Sequence, residues 1–344
     1  MKRKTLFMLS VTIIAVCSIS TSFAATSSFQ GLGDLSHANG VSADGLTIVG
    51  VSRSSSGFEA SRWTKANGMI GIGDLDGDSF YSWAYGISAD GSTVMGVANS
   101  ASGNEAFRWT AGGGMTGLGD LDGGSFHSIS LGVSADGSTI VGGGESASGR
   151  EAFRWTEGGG MVGLGDLDGG SFHSEAYGVS FDGSIVAGQS ISSSGYEAFH
   201  WSAGDGMVGL GDLDGGDFSS SAHRISSDGS TIVGASSSTL GLEAFRWTAS
   251  GGMAGLGDLD GGSFYSQAIG VSADGSTIVG RGSSALGHEA FIWDEANGMV
   301  NFKDMLMENG VDMTGWTLMQ AYAISADGST IVGSGRNPGG SSEA

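Results

Sequence analysis

The chain has 344 residues, 66 of them glycine and one of them proline, with 14 basic against 36 acidic side chains and a net charge of −22. A hydrophobic content of 39% excludes a disordered acidic tail, because such a chain can bury a core. The acidic balance excludes a phosphate-backbone binder, which needs a basic face, so no nucleic-acid partner is expected.

Residues 1–24 read as a secretory signal. Lys2-Arg3-Lys4 is a positive start, Thr5 to Ile19 is apolar, and Ser22-Phe23-Ala24 offers small residues before a cut at Ala25. One alternative is an uncleaved anchor, although the apolar run is short against the ~20 residues a spanning helix needs. Another is a lipoprotein signal at Cys17, where Val16 fits the preceding position poorly. Cys17 is the only cysteine and leaves with the signal, so residues 25–344 form a single repeat domain without disulfides. The expected location is secreted or extracellular, with the periplasm or the cell surface included. No membrane span is expected after cleavage.

The rest of the chain is periodic. Trp63, Trp109, Trp155, Trp201, Trp247 and Trp293 recur every 46 residues, and a fixed period of this size marks a repeat architecture. The first copy of Gly-x-Gly-Asp-Leu, Gly31 to Leu35, precedes any repeat turn. In the third repeat, Leu131 to Ser134 is a strand and Ala135 to Ser138 a turn. Thr139 to Gly142, Glu151 to Thr156 and Met161 to Gly165 are the other strands. Asp136-Gly137 between apolar runs predicts a type I′ hairpin. Alternation predicts Phe153 and Trp155 on one face, with Ala152 and Arg154 on the other.

Four antiparallel strands per repeat is the scale of a β-propeller blade, with a parallel β-helix as the competing reading. The Asp-Gly turn recurs at Asp44, Asp90, Asp136, Asp182, Asp228, Asp274 and Asp327. The fold class expected is therefore all-β, a propeller of seven blades of about four strands. The early Gly31–Leu35 strand would close the ring by completing the last blade, so that no sheet edge is left open. The interval from Asp274 to Asp327 is longer than the others, and Phe302 to Asn309 fits a short amphipathic helix with Phe302, Met305 and Leu306 on one side. Glu343-Ala344 starts a third strand whose Phe-Arg-Trp does not follow, as if the last blade lacked a strand or the chain were cut short.

The repeats resemble the HAF-repeat family of bacterial extracellular proteins. The resemblance lies in Glu-Ala-Phe-Arg-Trp (Glu105 to Trp109, Glu151 to Trp155, Glu243 to Trp247), in Gly117 to Leu121 and in Val133 to Gly142. It covers residues 31–344, and Gly310 to Leu318 looks like the family's C-terminal unit. The resemblance implies secretion and a propeller-like fold. It implies no established enzyme activity and supplies no catalytic residues.

Candidate chemistry is sparse. Asp74/Asp76, Asp120/Asp122, Asp166/Asp168, Asp212/Asp214 and Asp258/Asp260 sit in glycine loops. Such loops could offer calcium two or three oxygens, but Tyr177 stands where an EF-hand beginning at Asp166 needs glutamate. Turn hydrogen bonds are the favoured role, and no cofactor is expected unless calcium binds. Glu59, Glu105, Glu151, Glu197, Glu243 and Glu289 recur in every repeat and read as structural ties. Tyr81, His127, His173 and Tyr265 share a position and form an aromatic-polar stripe that could grip a ligand. Trp83, Phe181 and Arg224 depart from the repeat. The expected function is a monomeric, non-enzymatic scaffold for a protein or glycan partner. The alternative is a secreted hydrolytic propeller acting on carbohydrate or another substrate, and it requires two carboxylates and a base gathered at one channel mouth.

Overall fold

The computed structural model describes residues 27–33, 35–77 and 79–344, so the segment read as a signal lies outside the described residues. No helix among the described residues is long and apolar enough to cross a membrane.

The strands fall into seven consecutive antiparallel units. Unit three consists of Gly123–Val133, Thr139–Ser146, Gly149–Thr156 and Gly160–Gly163, and the first six units share this four-strand order. Unit seven contributes Thr317–Ile324, Ile331–Arg336 and Ser342–Glu343. Each first strand meets the first strands of both neighbours, and that of unit seven meets that of unit one. The molecule is a closed β-propeller with the first strands innermost. The helix Phe302–Glu308 lies between units six and seven. Asn301 caps it by accepting from the Lys303 and Asp304 N–H groups, and it buries Phe302 and Leu306.

Closure uses the early strand. The Leu32 N–H donates to the Ala344 carbonyl at 3.0 Å. This is the bond that Leu164 makes to Ala152 within unit three, at 2.8 Å. Residues 31–33 therefore stand beside Ser342–Glu343 as the fourth strand stands beside the third in other units.

The expected alternation along the third strand holds, but both of its faces are covered. Phe153 packs with Met95, Ala106, Leu118 and Ile140, while Ala152 packs with Val141, Ala176, Val186 and Phe199. The core is thus a set of clusters between neighbouring sheets, and each sheet belongs to two of them. The second strands supply buried runs such as Ile140-Val141 and Ile232-Val233.

Two expectations need correction. The first strand of unit three is longer than predicted, beginning at Gly123. The turn is not type I′. The Gly137 N–H donates to the Ser134 carbonyl, which centres the turn on Ala135-Asp136, and Gly137 at φ 71° takes the left-handed step that follows. Ser134 Oγ and the Ser138 N–H both donate to Asp136 Oδ1, fixing the loop from inside.

Candidate functional site

A cavity of about 190 Å³ lies in the central channel, lined by residues of all seven first strands and the turns that follow them. Alternation along the strand decides which side chains face it. Asn39 and Val41, Tyr85 and Ile87, and Tyr177 and Val179 line it from units one, two and four. Backbone bonds tie the turns together around one end. Ala43 donates to Ala89, Ala89 to Ala135, Ala135 to Phe181, Phe181 to Ser227, Ser227 to Ala273 and Ala273 to Ala326. Phe181 interrupts a series of small residues in this ring and is 56% exposed.

Arg224 enters the channel where other units place glycine or alanine. Its Nη1 donates to the carbonyls of Tyr177 and His223 at 3.0 and 2.8 Å. The neighbouring His223 ring shares a 2.8 Å hydrogen bond with the Ala268 carbonyl through Nδ1. Burial holds its pKa at about 4, against the pull of that bond, and the charges of Arg224 and Arg281 add to the lowering.

The opposite end of the channel is built from positions that differ from unit to unit. Cross-strand register makes His37, Trp83, Ile129, Glu175, Ser221, Gln267 and Gln320 equivalent. Their partners on the second strand are Val51, Val97, Gly143, Gln189, Ala235, Arg281 and Ser334. One further position, just inside the third strand, holds Phe58, Asn104, Arg150, Tyr196, Leu242 and His288, six different residues in six units. The repeat does not dictate these side chains. Phe80, Phe126, Tyr196, Leu240 and Leu286 add exposed apolar surface at the same end.

Two polar clusters form here. In the first, Arg150 Nη2 pairs with Glu175 Oε1 at 2.7 Å and Nη1 lies 3.6 Å from Glu145 Oε1. Arg150 Nη1 also lies 2.8 Å from His127 Nδ1, and Tyr177 donates its hydroxyl to Glu175 Oε2 at 2.7 Å. In the second, Arg281 donates from Nε to Gln267 Oε1 at 3.1 Å, from Nη1 to Gln320 Oε1 at 3.4 Å and from Nη2 to the Tyr265 hydroxyl. Its guanidinium lies 5.3 Å from the centre of the Tyr265 ring. His37 and Trp83 stack at a tilt, 5.7 Å apart.

The predicted stripe is divided between these clusters. His127 joins Arg150, and Tyr265 joins Arg281 and the His288 ring, 4.9 Å away. His173 packs edge-on to Tyr196, and Tyr81 donates its backbone N–H to Asp74 Oδ2 at 2.8 Å. His173 and Tyr265 also sit where a single parallel pair joins one unit to the next, opposite Arg150 and Leu242.

The aspartate pairs divide by role. The first carboxylate ties its loop to the next first strand: Asp74 accepts from Tyr81, Asp120 from His127 and Asp258 from Tyr265, all through backbone N–H groups. The second members Asp76, Asp122 and Asp168 are exposed. Burial raises the pKa of Asp74, Asp166 and Asp212. No group of three or more His, Cys, Asp or Glu positioned for a metal occurs among the described residues. Glu59, Glu105, Glu151, Glu197 and Glu243 each lie over a fourth-strand glycine and accept from the N–H two residues beyond it, as Glu151 does from Gly165 at 3.0 Å. Glu289 instead faces Asn301 and accepts from its Nδ2 at 3.0 Å and from the Ser284 hydroxyl.

Arg281, Gln267, Glu175 and Arg150 escape a reading that looks for recurrence. The signal that finds them is the list of positions at which otherwise matching repeats disagree.

No family model matches the chain, and no curated protein matches it by sequence. Solved structures match it by shape. TolB from Acinetobacter baumannii aligns at a TM-score of 0.50 with 12% identity, over 74% of this chain and 62% of TolB, so the chain spans less than two thirds of that protein. An oligogalacturonate lyase in complex with manganese aligns at 0.52 with 12% identity, over 79% of each chain. The oligogalacturonate lyase of Vibrio parahaemolyticus aligns at 0.51 with 10% identity, over 78% of this chain and 77% of the lyase. At such identities the likeness is one of fold, and the fold is the β-propeller.

Proposed function

We propose that this protein is a secreted, non-enzymatic binding propeller that takes a protein or glycan partner at the channel end opposite the turn ring. The observation that carries the reading is the gathering there of side chains that the repeat does not require. Elsewhere the units restate one another, as expected of construction material. Phe181 and the turns around Lys65 vary at the other end as well. Only here do varied side chains meet one another across neighbouring units, which is what a specific contact surface needs. The resemblance of the repeats to HAF proteins and the pattern of residues 1–24 support a place outside the cytoplasm.

A hydrolase would need two carboxylates in contrasting environments. Glu145, Glu175 and His127 do gather at one mouth, but all three are held on one guanidinium, that of Arg150, so the two carboxylates share one environment. That shared partner favours the binding reading.

The test is a glycan and surface-peptide screen of the purified protein, repeated with Trp83→Ala, Tyr196→Ala and His288→Ala. Lys65→Gln, on an exposed turn at the other end, is the control. The expected result is a ligand whose binding weakens tenfold or more in at least one of the three variants and is unchanged in the control. A ligand equally indifferent to all four substitutions would place the function elsewhere.

A further inference from the structure

We infer that the cavity between units six, seven and one is a subsite for the carboxylate of an acidic sugar, anchored by Arg281. The inference rests on the binding reading above and gives one side of that surface its ligand chemistry.

Arg281 is a prepared but uncompensated cation. Its three hydrogen bonds go to two amide oxygens and a phenol, all neutral. Among the described residues, both ion pairs belong to Arg150, in a chain with 36 acidic side chains. A carboxylate could have been supplied to Arg281 from within the chain, and Gln267 and Gln320 stand there instead. The equivalent positions hold Gly143, Gln189 and Ala235, so the repeat has no use for the charge. The Tyr265 face and the two glutamines fix the plane of the guanidinium. A fixed plane with donors left over suits two-point recognition of a carboxylate.

The surroundings favour a sugar over a peptide. The cavity, about 180 Å³, is lined by His37, Arg281, His288, Gln320, Tyr322 and Ser334. His37 Nδ1 is buried without a hydrogen-bond partner, an unmet polar atom in that lining. The His37 and Tyr322 rings stand 6.3 Å apart, and His288 packs on Tyr265. Flat rings beside amide, hydroxyl and imidazole groups match a pyranose, which has an apolar face and a rim of hydroxyls. The second channel cation, Arg224, also has no carboxylate partner among the described residues, and its charge and that of Arg281 both reach His223. The net charge of −22 still opposes an acidic chain at long range, so the attraction is local, at the one carboxylate that reaches Arg281.

The test is calorimetric titration of the purified protein at low salt with trigalacturonate, with neutral galactotriose and with a glutamate tripeptide. The proteins compared are wild type, Arg281→Gln, Arg281→Lys, the exposed His288→Ala and the remote control Lys65→Gln, each checked for an unchanged melting curve. Trigalacturonate should bind at least tenfold tighter than galactotriose, and more weakly as salt rises. Arg281→Gln should remove that preference, Arg281→Lys should restore only part of it, His288→Ala should weaken binding about threefold, and Lys65→Gln should change nothing. Equal affinity for acidic and neutral sugar, tighter binding of the tripeptide, or no loss in Arg281→Gln and His288→Ala would overturn the inference. Those results leave the binding reading intact if the broader screen still yields a ligand sensitive to Trp83 or Tyr196. Absence of any such ligand removes both.

Discussion

Glu343 accepts a hydrogen bond from the N–H of Gly33 at 3.2 Å, across 310 positions of sequence. Within the units the same bond spans 14 positions, as from Gly165 to Glu151 and from Gly211 to Glu197. The ring is thus closed by the contact that builds the first five units, taken between the two ends of the chain. A charged acceptor satisfying a backbone N–H contributes about 1.5–3 kcal/mol. Glu343→Ala should therefore destabilise the protein about as much as Glu151→Ala in urea unfolding. A neutral Glu343→Ala beside a costly Glu151→Ala would show that the ends do not meet.

Gly31 is subject to the same geometry. A Cβ placed on it would collide with the Glu343 carboxylate, as one on Gly163 would with Glu151. Because the obstructing atoms are the movable ends of side chains, Gly31→Ala and Gly163→Ala should each cost no more than the hydrogen bond the displaced carboxylate gives up, about 1–2 kcal/mol. The Gly31→Ala loss should shrink when Glu343 is already alanine, because the obstructing side chain is gone. Additive losses in that double-mutant cycle would contradict the contact.

His223 gives stability a defined pH dependence. Its folded pKa is about 4, against an ordinary value near 6.5, so the unfolded chain binds the proton more readily. Stability from this group is complete above pH ~6.5 and falls as pH drops towards 4, by roughly 2–3 kcal/mol in all. His223→Asn should flatten the melting temperature over that interval relative to wild type. An unchanged slope would mean that the ring is not held neutral in the channel.

The turn aspartates act lower on the scale. Hydrogen bonds from Ser134 and Ser138 hold Asp136 below the usual carboxylate range, and Asp90, Asp228 and Asp274 are lowered in the same way, chiefly by the preceding serine. Their folded pKa is depressed, so their contribution is present above pH ~4 and is lost as pH falls through the folded values. Asp74, Asp166 and Asp212, raised by burial, act with the opposite sign in the adjoining interval above pH ~4, where the stability they give is lost as pH rises. Asp136→Asn should reduce the steepness of acid unfolding below pH 4 and leave the interval from 6.5 to 4.5 unchanged.

How much of this is legible in the sequence depends on whether a feature recurs. The tryptophan period, the seven Asp-Gly turns and the early Gly31–Leu35 copy carry strand order and closure, because each is a local signal repeated many times. The turn class is less legible. Asp136-Gly137 resembles a two-residue hairpin until Ser134 and Ser138 are seen to take the Asp136 carboxylate, which lengthens the loop. The site is the least legible. Arg224 stands out because it replaces a glycine that recurs as Gly40, Gly86, Gly132, Gly178 and Gly270, whereas Trp83 stands out only by its size, at a position with no recurring type. Arg281, Glu175 and Arg150 occupy positions that never had a consensus, and only the register places them side by side.

Calcium is the remaining question for the aspartate loops. Asp120 Oδ2 already accepts from the His127 N–H at 3.0 Å, and Asp258 takes one N–H on each oxygen, from Tyr265 and Ser283. A cation would have to compete with those bonds, and the exposed Asp122 and Asp260 would add one carboxylate per loop. A site with a millimolar Kd would stabilise the fold by about 1.4 kcal/mol at ten times that concentration. With several such loops the gain would multiply and would be plain in a melting curve. The expected result is no rise in melting temperature on adding 10 mM calcium, together with a loss of about 1–3 kcal/mol in Asp120→Ala whether or not calcium is present. A calcium-dependent rise that disappears in Asp120→Ala would turn these loops from turn ties into metal sites.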